Sequence, residues 1–286
     1  MSTLYDGNGN NLEMGSSKGF EVEDYSLYED NKGSARQGVI LYNNNRFYPI
    51  INPNQIKDKV KKYKSGIMFT LGDSYTAMLN NHFKSFAERH GLVQDNRGLV
   101  SSTIAGSQDK VTVGYHAFWV RLDEAIAEYK TGKTINGKTY TCDDVKLITF
   151  MGGANDWTTI DESQGINRIG GGINETNKET LYGSLNYIFN KLLSTFVNAD
   201  IVVILQPSNE AKGNANMRLK ESIVREMAEM YGLPVCDCIF NWYNPNNPND
   251  AKKYWQSDKL HLNDVGNDEL IKKLEHTVNN LTFTRN

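Results

Sequence analysis

The strongest indication of the architecture is the stretch Ile67-Met68-Phe69-Thr70-Leu71-Gly72-Asp73-Ser74-Tyr75. Its first five residues are apolar or β-branched, which is typical of a short buried strand. The Gly-Asp-Ser sequence that follows is typical of a tight turn at the start of a helix, and an amphipathic segment continues to about residue 90. The stretch therefore predicts a buried strand that passes directly into a helix.

Short apolar runs and amphipathic segments alternate along the rest of the chain. The further apolar runs, each bounded by glycine, proline or polar residues, lie at 99–104, 147–151, 201–205 and 233–235. The amphipathic segments, each predicted to be helical, lie at 118–130, 180–196, 217–231 and 265–280. Short buried strands separated by helices form a parallel sheet with helices on both faces. We therefore predict an α/β fold, a three-layer α/β/α sandwich with a five-stranded parallel sheet.

The segment 1–64 is rich in glycine, asparagine, aspartate and lysine and contains only short apolar runs. Within it, the segments 38–42 and 46–50 flank the turn Asn43-Asn44-Asn45 and are predicted to be two short strands. We predict a small β-rich N-terminal extension that packs on the main domain, residues 65–286, or on a neighbouring subunit. Such a module is a candidate for docking or for contacts in a homo-oligomer.

The overall composition argues against several classes of protein. Hydrophobic residues make up 39% and charged residues 23% of the 286 residues, as in an ordinary globular protein. The net charge of −3 and the pI of about 6.0 argue against binding to nucleic acid. No apolar run is long enough for a membrane span, and the polar segment Met1–Asn11 is unlike a secretory signal. We therefore expect synthesis in the cytoplasm.

The three cysteines, Cys142, Cys236 and Cys238, do not form the even-numbered pattern of a disulfide framework. Because Cys236 and Cys238 lack further ligands at zinc-binding spacing, we expect no metal site. They are predicted to be small, partly apolar residues on either side of Asp237 at the end of a strand. The run Gly170-Gly171-Gly172 lacks the Lys-Ser/Thr of a phosphate-binding loop, so we expect no nucleotide cofactor.

Ser74 and the pair Asp258 and His261 are the residues best suited to nucleophilic catalysis. A serine in a tight turn between a strand and a helix is fixed, and the helix N-terminus offers positive potential to a developing anion. An aspartate three residues before a histidine can hold the imidazole so that its other nitrogen accepts a proton from a serine. Each motif alone has a simpler interpretation, because Ser74 could only cap the helix and Asp258 could only cap a surface loop.

Two further residues follow predicted strands, at the edge where the site of an open parallel sheet lies. Gly106 follows the segment 99–104 and offers a backbone N–H with no side chain in the way. Asn155 follows the segment 147–151 and offers a side-chain amide N–H. Hydrogen-bond donors of this kind form an oxyanion hole, although glycine and asparagine are also common in ordinary turns.

The order of these motifs along the chain resembles that of the SGNH hydrolases, also called GDSL-like hydrolases. The resemblance covers residues 65 to about 281 and rests on Gly72-Asp73-Ser74, Gly106, Gly153-Ala154-Asn155-Asp156, Asp258 and His261. Two positions depart from the family pattern, since Tyr75 stands where leucine is frequent and Leu262 where proline is common. The resemblance implies a flavodoxin-like SGNH fold and a serine ester hydrolase that needs no cofactor.

The resemblance also implies roles for individual residues. Ser74 would be the nucleophile, with Asp258 and His261 completing a catalytic triad. The backbone N–H groups of Ser74 and Gly106 and the side-chain amide of Asn155 would form the oxyanion hole. The reaction would be a two-step acyl transfer through a covalent acyl-enzyme.

The loops that follow the predicted strands indicate the class of substrate. They contain asparagine, glutamine, glycine and aromatic residues but few clusters of long aliphatic side chains. The aromatic residues expected to contact the substrate are Tyr115, Trp119, Trp157, Trp242 and Trp255. Because aromatic rings among amides suit sugar faces and hydroxyls, we expect a small-molecule or glycan ester, with O-acetyl as the acyl group. Any one of these rings could instead be a core or loop anchor.

Two alternatives stay open at this point. Within the ester hydrolases, the chain could be a lipase, a lysophospholipase or a thioesterase, for which an apolar wall around the site is expected. From another class, it could be a structural or adhesive protein of a phage particle or cell surface that carries this domain for attachment. The four intact motifs argue against a purely non-catalytic role.

Overall fold

The computed structural model describes residues 62–106, 116–156, 158, 160–161, 163, 166–207, 214–238 and 253–281, together with four short strands before residue 51. The chain divides into two compact units, Met1–Lys61 and Lys62–Asn286, close to the boundary predicted from the composition. Among the described residues, no helix is both long enough and apolar enough to span a bilayer.

In the first unit, the described residues form two antiparallel strand pairs. Leu4–Tyr5 pairs with Asn11–Leu12, and Val39–Asn43 pairs with Arg46–Ile50. The second pair is the hairpin predicted around the asparagine turn, with Val39 opposite Ile50 and Asn43 opposite Arg46.

The second unit is built on a five-stranded parallel sheet. Its strands are β1 (Ile67–Gly72), β2 (Val93–Gly98), β3 (Val145–Met151), β4 (Asp200–Leu205) and β5 (Val235–Asp237). They lie in the order β5-β4-β3-β1-β2, and every neighbouring pair is parallel. This is the flavodoxin-like order, in which the sequence of strands across the sheet changes direction between β1 and β3. Ligands bind beyond the carboxyl ends of the strands at such a point. The prediction of a five-stranded parallel sheet is confirmed.

The second strand lies at a different place from the predicted one. We predicted a strand at 99–104, whereas β2 consists of Val93–Gly98 and the predicted segment forms the loop after it. Because β2 is an edge strand, its polar side chains find partners beside the sheet. Asp95, for example, accepts a hydrogen bond from Tyr129 at 2.9 Å and forms an ion pair with Lys133 at 3.1 Å. An edge strand of this kind lacks the apolar run on which the prediction relied.

The last strand also begins later than the predicted segment 233–235. The N–H of Leu233 donates to the carbonyl of Ala228 at 2.8 Å and so closes the end of the preceding helix. Strand β5 therefore begins at Val235. Cys236 lies in it and Cys238 follows it, and both thiols are buried, as expected for residues flanking Asp237 at a strand end.

Five α-helices connect the strands in the described part of this unit, and a further α-helix follows β5. They are α1 (Ser74–Met78), α2 (Asn80–Arg89), α3 (Phe118–Thr131), α4 (Leu181–Thr195), α5 (Asn214–Met230) and α6 (Asp264–Asn279). The single helix predicted after β1 is thus two helices, which are separated at Leu79, whose ψ is 7°. Short antiparallel pairs, Lys133–Ile135 with Lys138–Tyr140 and Ile160–Asp161 with Ile166–Asn167, extend two of the connections.

The sheet separates two hydrophobic cores. Ile67, Phe69 and Leu71 of β1 point into the core that also contains the apolar faces of α3, α4 and α5. Met68 points to the opposite side, into the core formed with α1, α2 and α6. This alternation along a strand buried on both faces produces the predicted α/β/α sandwich.

Two glycines allow α1 to lie close to the ends of β1 and β2. A Cβ added to Gly72 would lie 1.9 Å from the hydroxyl oxygen of Thr76, and one added to Gly98 would lie 2.3 Å from the backbone nitrogen of Ala77. Neither contact is possible for a real side chain. The glycines therefore fix how closely the first turn of α1 approaches the carboxyl end of the sheet.

Candidate active site

Ser74 begins α1 immediately after the carboxyl end of β1. Its side chain is 5% exposed. The preceding residue, Asp73, is the N-cap, and its carboxylate accepts a hydrogen bond from the N–H of Tyr75 at 3.0 Å. As the first residue of the helix, Ser74 has a backbone N–H without an acceptor inside the helix. The turn thus fixes a hydroxyl and directs helix N–H groups to the same edge of the sheet.

The loop before α6 brings His261 and Asp258 to this serine. Nε2 of His261 lies 2.9 Å from Oγ of Ser74, and Nδ1 of His261 lies 2.6 Å from Oδ2 of Asp258. The other oxygen of Asp258 accepts from the N–H groups of Leu260 at 2.9 Å and His261 at 3.0 Å. Burial alone would raise the pKa of Asp258, but these hydrogen bonds bring it below its usual value. A carboxylate therefore faces one imidazole nitrogen and a hydroxyl faces the other.

Local contacts hold this loop in a conformation that exposes His261 to Ser74. Lys259 has a φ of 56°, a left-handed conformation that is uncommon for a residue with a side chain. The hydroxyl of Tyr75 donates to the carbonyl of Leu260, and its ring lies 5.7 Å from the imidazole of His261. The N–H of Gln256 donates to the carbonyl of His261 at 2.8 Å. Tyr75, which departs from the family pattern, thus holds the loop that carries His261 and lies close to its imidazole ring.

The turn after β3 lies against the loop after β2. The side-chain amide of Asn155 donates to the carbonyl of Ser102 at 3.1 Å. Asp156 accepts from the N–H groups of Ile104 at 2.9 Å and Ala105 at 2.8 Å. Burial raises the pKa of Asp156 to about 6, although these two hydrogen bonds act in the opposite direction. The two loops predicted to carry oxyanion donors are therefore joined to each other.

Both backbone polar groups of Gly106, its N–H and its carbonyl, are hydrogen-bonded. Its N–H donates to the carbonyl of Lys178 at 3.1 Å, and its carbonyl accepts from the indole N–H of Trp119 at 2.9 Å. Its φ of 155° lies within the range that favours glycine. Because the N–H already has an acceptor, service as an oxyanion donor requires that hydrogen bond to be exchanged for one to the substrate.

Two of the five aromatic residues predicted to contact the substrate are buried, which corrects the prediction for these two. Trp119 and Trp255 are each 5% exposed, so neither ring can offer a face to a sugar. Trp119, a residue of α3, packs in the core on the α3 side of the sheet. Its indole N–H donates to the carbonyl of Gly106, and the ammonium of Lys178 lies 3.6 Å from its ring centre. Trp255 packs in the other core, beside Leu262. Tyr115, Trp157 and Trp242 lie outside the described residues.

Two buried polar residues below the site were missed by the sequence analysis. Arg121 of α3 donates to the carbonyl of Gly72 at 3.0 Å and to the hydroxyl of Ser102 at 3.2 Å, and burial lowers its pKa to about 10. Gln206, directly after β4, contacts both Asp73 and Ala154. A polar residue after an apolar strand was the available signal for Gln206. In the described residues, no group of three or more His, Cys, Asp or Glu side chains could hold a metal ion.

The buried carboxyl group of Asp73 should make a pH-dependent contribution to the stability of the fold. Burial raises its pKa to about 7, against hydrogen bonds from Gln206 and the N–H of Tyr75 that lower it. Because this pKa is higher in the folded than in the unfolded protein, the contribution is complete below pH 4 and is lost as the pH rises towards 7. Between these pH values, the unfolding free energy of the wild type should fall relative to that of Asp73→Asn by about 2–4 kcal/mol.

Urea denaturation of both proteins across this range measures that difference. The same substitution at the exposed Asp143 is the matched control, and its difference from the wild type should stay nearly constant. A constant difference for Asp73→Asn as well would show that folding does not raise the pKa of the carboxyl group of Asp73.

Several solved structures are similar to this chain. A protein from Lactobacillus plantarum is 21% identical, with a TM-score of 0.58 over 76% of this chain and 98% of that one. A lipase/acylhydrolase from Enterococcus faecalis is 14% identical, with a TM-score of 0.46 over 74% and 95% of the two chains. An acetyl xylan esterase is 14% identical, with a TM-score of 0.46 over 74% and 99%. The first of these similarities supports the fold.

Sequence comparison gives the family. No curated protein sequence is significantly similar to this chain. Residues 70–268 match the GDSL-like Lipase/Acylhydrolase family, and this range contains both the Ser74 turn and the loop with Asp258 and His261. The match covers more than half of the chain and agrees with the sheet order and the motif order. The chain therefore belongs to the GDSL-like lipase/acylhydrolase family, a family of ester hydrolases.

Proposed function

We propose that this chain is a serine esterase that hydrolyses short acyl esters through a covalent acyl-enzyme. The observation that carries the proposal is the hydrogen-bonded series from Ser74 through His261 to Asp258 at the carboxyl end of the sheet. A hydroxyl, an imidazole and a carboxylate in this order are the parts of a nucleophile, its general base and the group that orients the base.

In the first step, Nε2 of His261 accepts the proton of Ser74 as Oγ attacks the ester carbonyl carbon. The carboxylate of Asp258 stabilises the imidazolium that forms and holds its Nδ1–H. The carbonyl oxygen becomes an anion in the tetrahedral intermediate. His261 then gives its proton to the departing alcohol as the carbon–oxygen bond breaks, which leaves the acyl group on Ser74.

Hydrogen-bond donors at the turn after β3 and at the start of α1 stabilise the oxyanion. One is the backbone N–H of Ser74, at the positive end of the helix. The amide of Asn155 has two N–H bonds, of which one reaches Ser102, and the other is available to the oxyanion. Gly106 supplies a third donor once its N–H leaves the carbonyl of Lys178.

In the second step, His261 removes a proton from a water molecule that attacks the acyl carbonyl. The tetrahedral intermediate forms again at the same donors, and its collapse releases the acid and returns the proton to Ser74. Every proton transfer in both steps uses Nε2 of His261, so the cycle needs no metal or organic cofactor.

We propose an O-acetyl ester of a carbohydrate as the substrate. Support comes from the loops after the strands, which contain amides and aromatic residues and few long aliphatic clusters. A long acyl chain is the second candidate, favoured by three exposed apolar residues in or near α1. They are Met78 (45% exposed), which ends α1, and Leu99 (36%) and Val100 (53%), which follow Gly98.

Acyl-chain length distinguishes the two candidates. Each methylene buried in a matching groove would add roughly 0.8 kcal/mol of binding. Without a groove, a longer chain gains no binding and loses activity through steric conflict with the site. We expect kcat/KM to fall at least about tenfold from acetyl to octanoyl p-nitrophenyl esters, and acetylated glycans to release acetate. A rise in kcat/KM with chain length, with no acetate released from glycans, would favour the lipase alternative.

A further inference from the structure

Gln206 connects the two turns that carry the catalytic groups. It follows β4 directly and is 1% exposed. Its Oε1 accepts from the N–H of Ala154 at 2.7 Å, and its Nε2 donates to both carboxylate oxygens of Asp73, at 2.9 and 2.8 Å. The orientation of the amide is fixed, because one neighbour is a donor and the other an acceptor.

Each end of this bridge is one residue away from a group of the proposed reaction. Asp73 precedes Ser74 and also accepts the N–H of Tyr75. Ala154 precedes Asn155, and its carbonyl accepts from the ammonium of Lys220 at 3.2 Å. A short hydrogen-bonded path therefore runs through buried groups from the nucleophile to the oxyanion donor.

The chemistry of the bridge indicates a role in positioning. The carboxylate of Asp73 needs a hydrogen-bond donor, and the N–H of Ala154 needs an acceptor at a fixed distance from that donor. A primary amide supplies both groups, and an apolar side chain of similar size supplies neither. Reacting groups must be held to a fraction of an ångström for catalysis, and such precision requires support from locked neighbours.

We propose that Gln206 is a positioning residue that sets the spacing between Ser74 and Asn155, and hence between the attacking oxygen and the oxyanion donor. The inference rests on the proposed esterase function. Gln206 touches neither substrate nor the reacting atoms, and it acts through Asp73 on one side and Ala154 on the other.

The surrounding charges make a pH-dependent test possible. Asp73 faces Arg121 of α3 and Asp156 of the next turn, and Lys220 of α5 faces the carbonyl of Ala154. In Gln206→Glu, a new carboxyl group meets that of Asp73. If the two share a proton, an O–H donor replaces the lost amide N–H, whereas at higher pH both ionise and repel each other.

The experiment measures kcat and KM on p-nitrophenyl acetate for the wild type, Gln206→Met and Gln206→Glu between about pH 6 and pH 9. Active sites are counted by titration with a phosphonate ester. Because kcat is then expressed per active site, unfolded protein does not lower its value. Gln94→Glu, on the edge strand β2, is the matched control. In Gln206→Met, kcat should fall about 10- to 100-fold at every pH, with KM changed less than about threefold.

The Gln206→Glu variant should resemble the wild type most closely at the lowest pH. Its kcat relative to the wild type should decline by a further factor of about ten by pH 9, while Gln94→Glu follows the wild type throughout. This variant also tests the inference if Gln206→Met does not fold.

Unchanged kcat per titrated site in the variants, with only a lower melting temperature, would overturn the inference and leave the esterase function standing. The same fall in kcat for Gln206→Glu at every pH would likewise contradict the inference, because a proton shared between the introduced carboxyl group and Asp73 should restore the bridge at low pH. A wild type that hydrolyses no ester would overturn the proposed function and this inference together.

Discussion

Replacing Ser74 with alanine should lower kcat for a small ester by about 10⁴- to 10⁶-fold, because no other hydroxyl lies at Nε2 of His261 in the described residues. His261→Ala should lower it by a similar factor, because the serine then loses its base. The three groups act as a unit, so the double variant should be hardly slower than either single variant. Steady-state kinetics with p-nitrophenyl acetate measures all three.

Exposed residues of the same types provide the controls for this experiment. Ser222→Ala on α5 and His276→Ala on α6 change surface side chains and should keep wild-type turnover. Circular dichroism should show that all variants are folded, since each removes few packing atoms. Turnover close to that of the wild type in Ser74→Ala would contradict the triad mechanism.

Replacing Asn155 with alanine should lower kcat about 100-fold, which corresponds to roughly 3 kcal/mol of transition-state stabilisation. The amide donates more strongly to the anion of the tetrahedral intermediate than to the neutral ester, so KM should change much less. Asn155→Asp should be at least as slow, because it replaces an N–H donor with an acceptor. The measurement is kcat and KM for each variant on one short ester.

Asn198→Ala is the matched control, since that residue is partly exposed and its amide donates a hydrogen bond to the surface carboxylate of Asp143. Its kinetic constants should equal those of the wild type. If Asn155→Ala instead raised KM with kcat unchanged, Asn155 would be a contact to the bound substrate and the oxyanion hole would lack this donor.

The sequence predicted the central part of the fold better than its edge. Strands β1, β3 and β4 are buried on both faces, so their apolar runs indicate strands without help from the rest of the chain. Strand β2 is an edge strand whose polar residues depend on partners elsewhere, such as Tyr129 and Lys133. Local periodicity contains no information about such partners. Because Leu99 and Val100 are apolar, the sequence pattern predicted the strand at 99–104, which is the loop after β2.

The candidate site shows the same division between local and distant information. Ser74, Asp258 and His261 lie in short motifs whose order along the chain is specific, and the structure brings them within hydrogen-bonding distance of one another. Gln206 and Arg121 have no motif of their own. Their importance depends on the fold placing them against Asp73 and Gly72.

For Trp119 and Trp255, the sequence indicated a substrate contact where the structure has a buried side chain. Their composition suited a sugar-binding surface, but a tryptophan that anchors a loop has the same letter in the sequence as one that stacks on a sugar. Only burial separates the two roles, and it assigns Trp119 to the support of Gly106.

Covalent labelling of the nucleophile tests the central claim most directly. The wild type is incubated with a serine-reactive fluorophosphonate, and peptide mass spectrometry locates the adduct while residual ester hydrolysis is followed in the same samples. We expect one adduct per chain, on the peptide containing Ser74, with activity lost in proportion to labelling and no adduct in His261→Ala on the same time scale. Activity that persists when Ser74 is fully modified, or that is lost through an adduct on another residue, would contradict the assignment of Ser74 as the nucleophile.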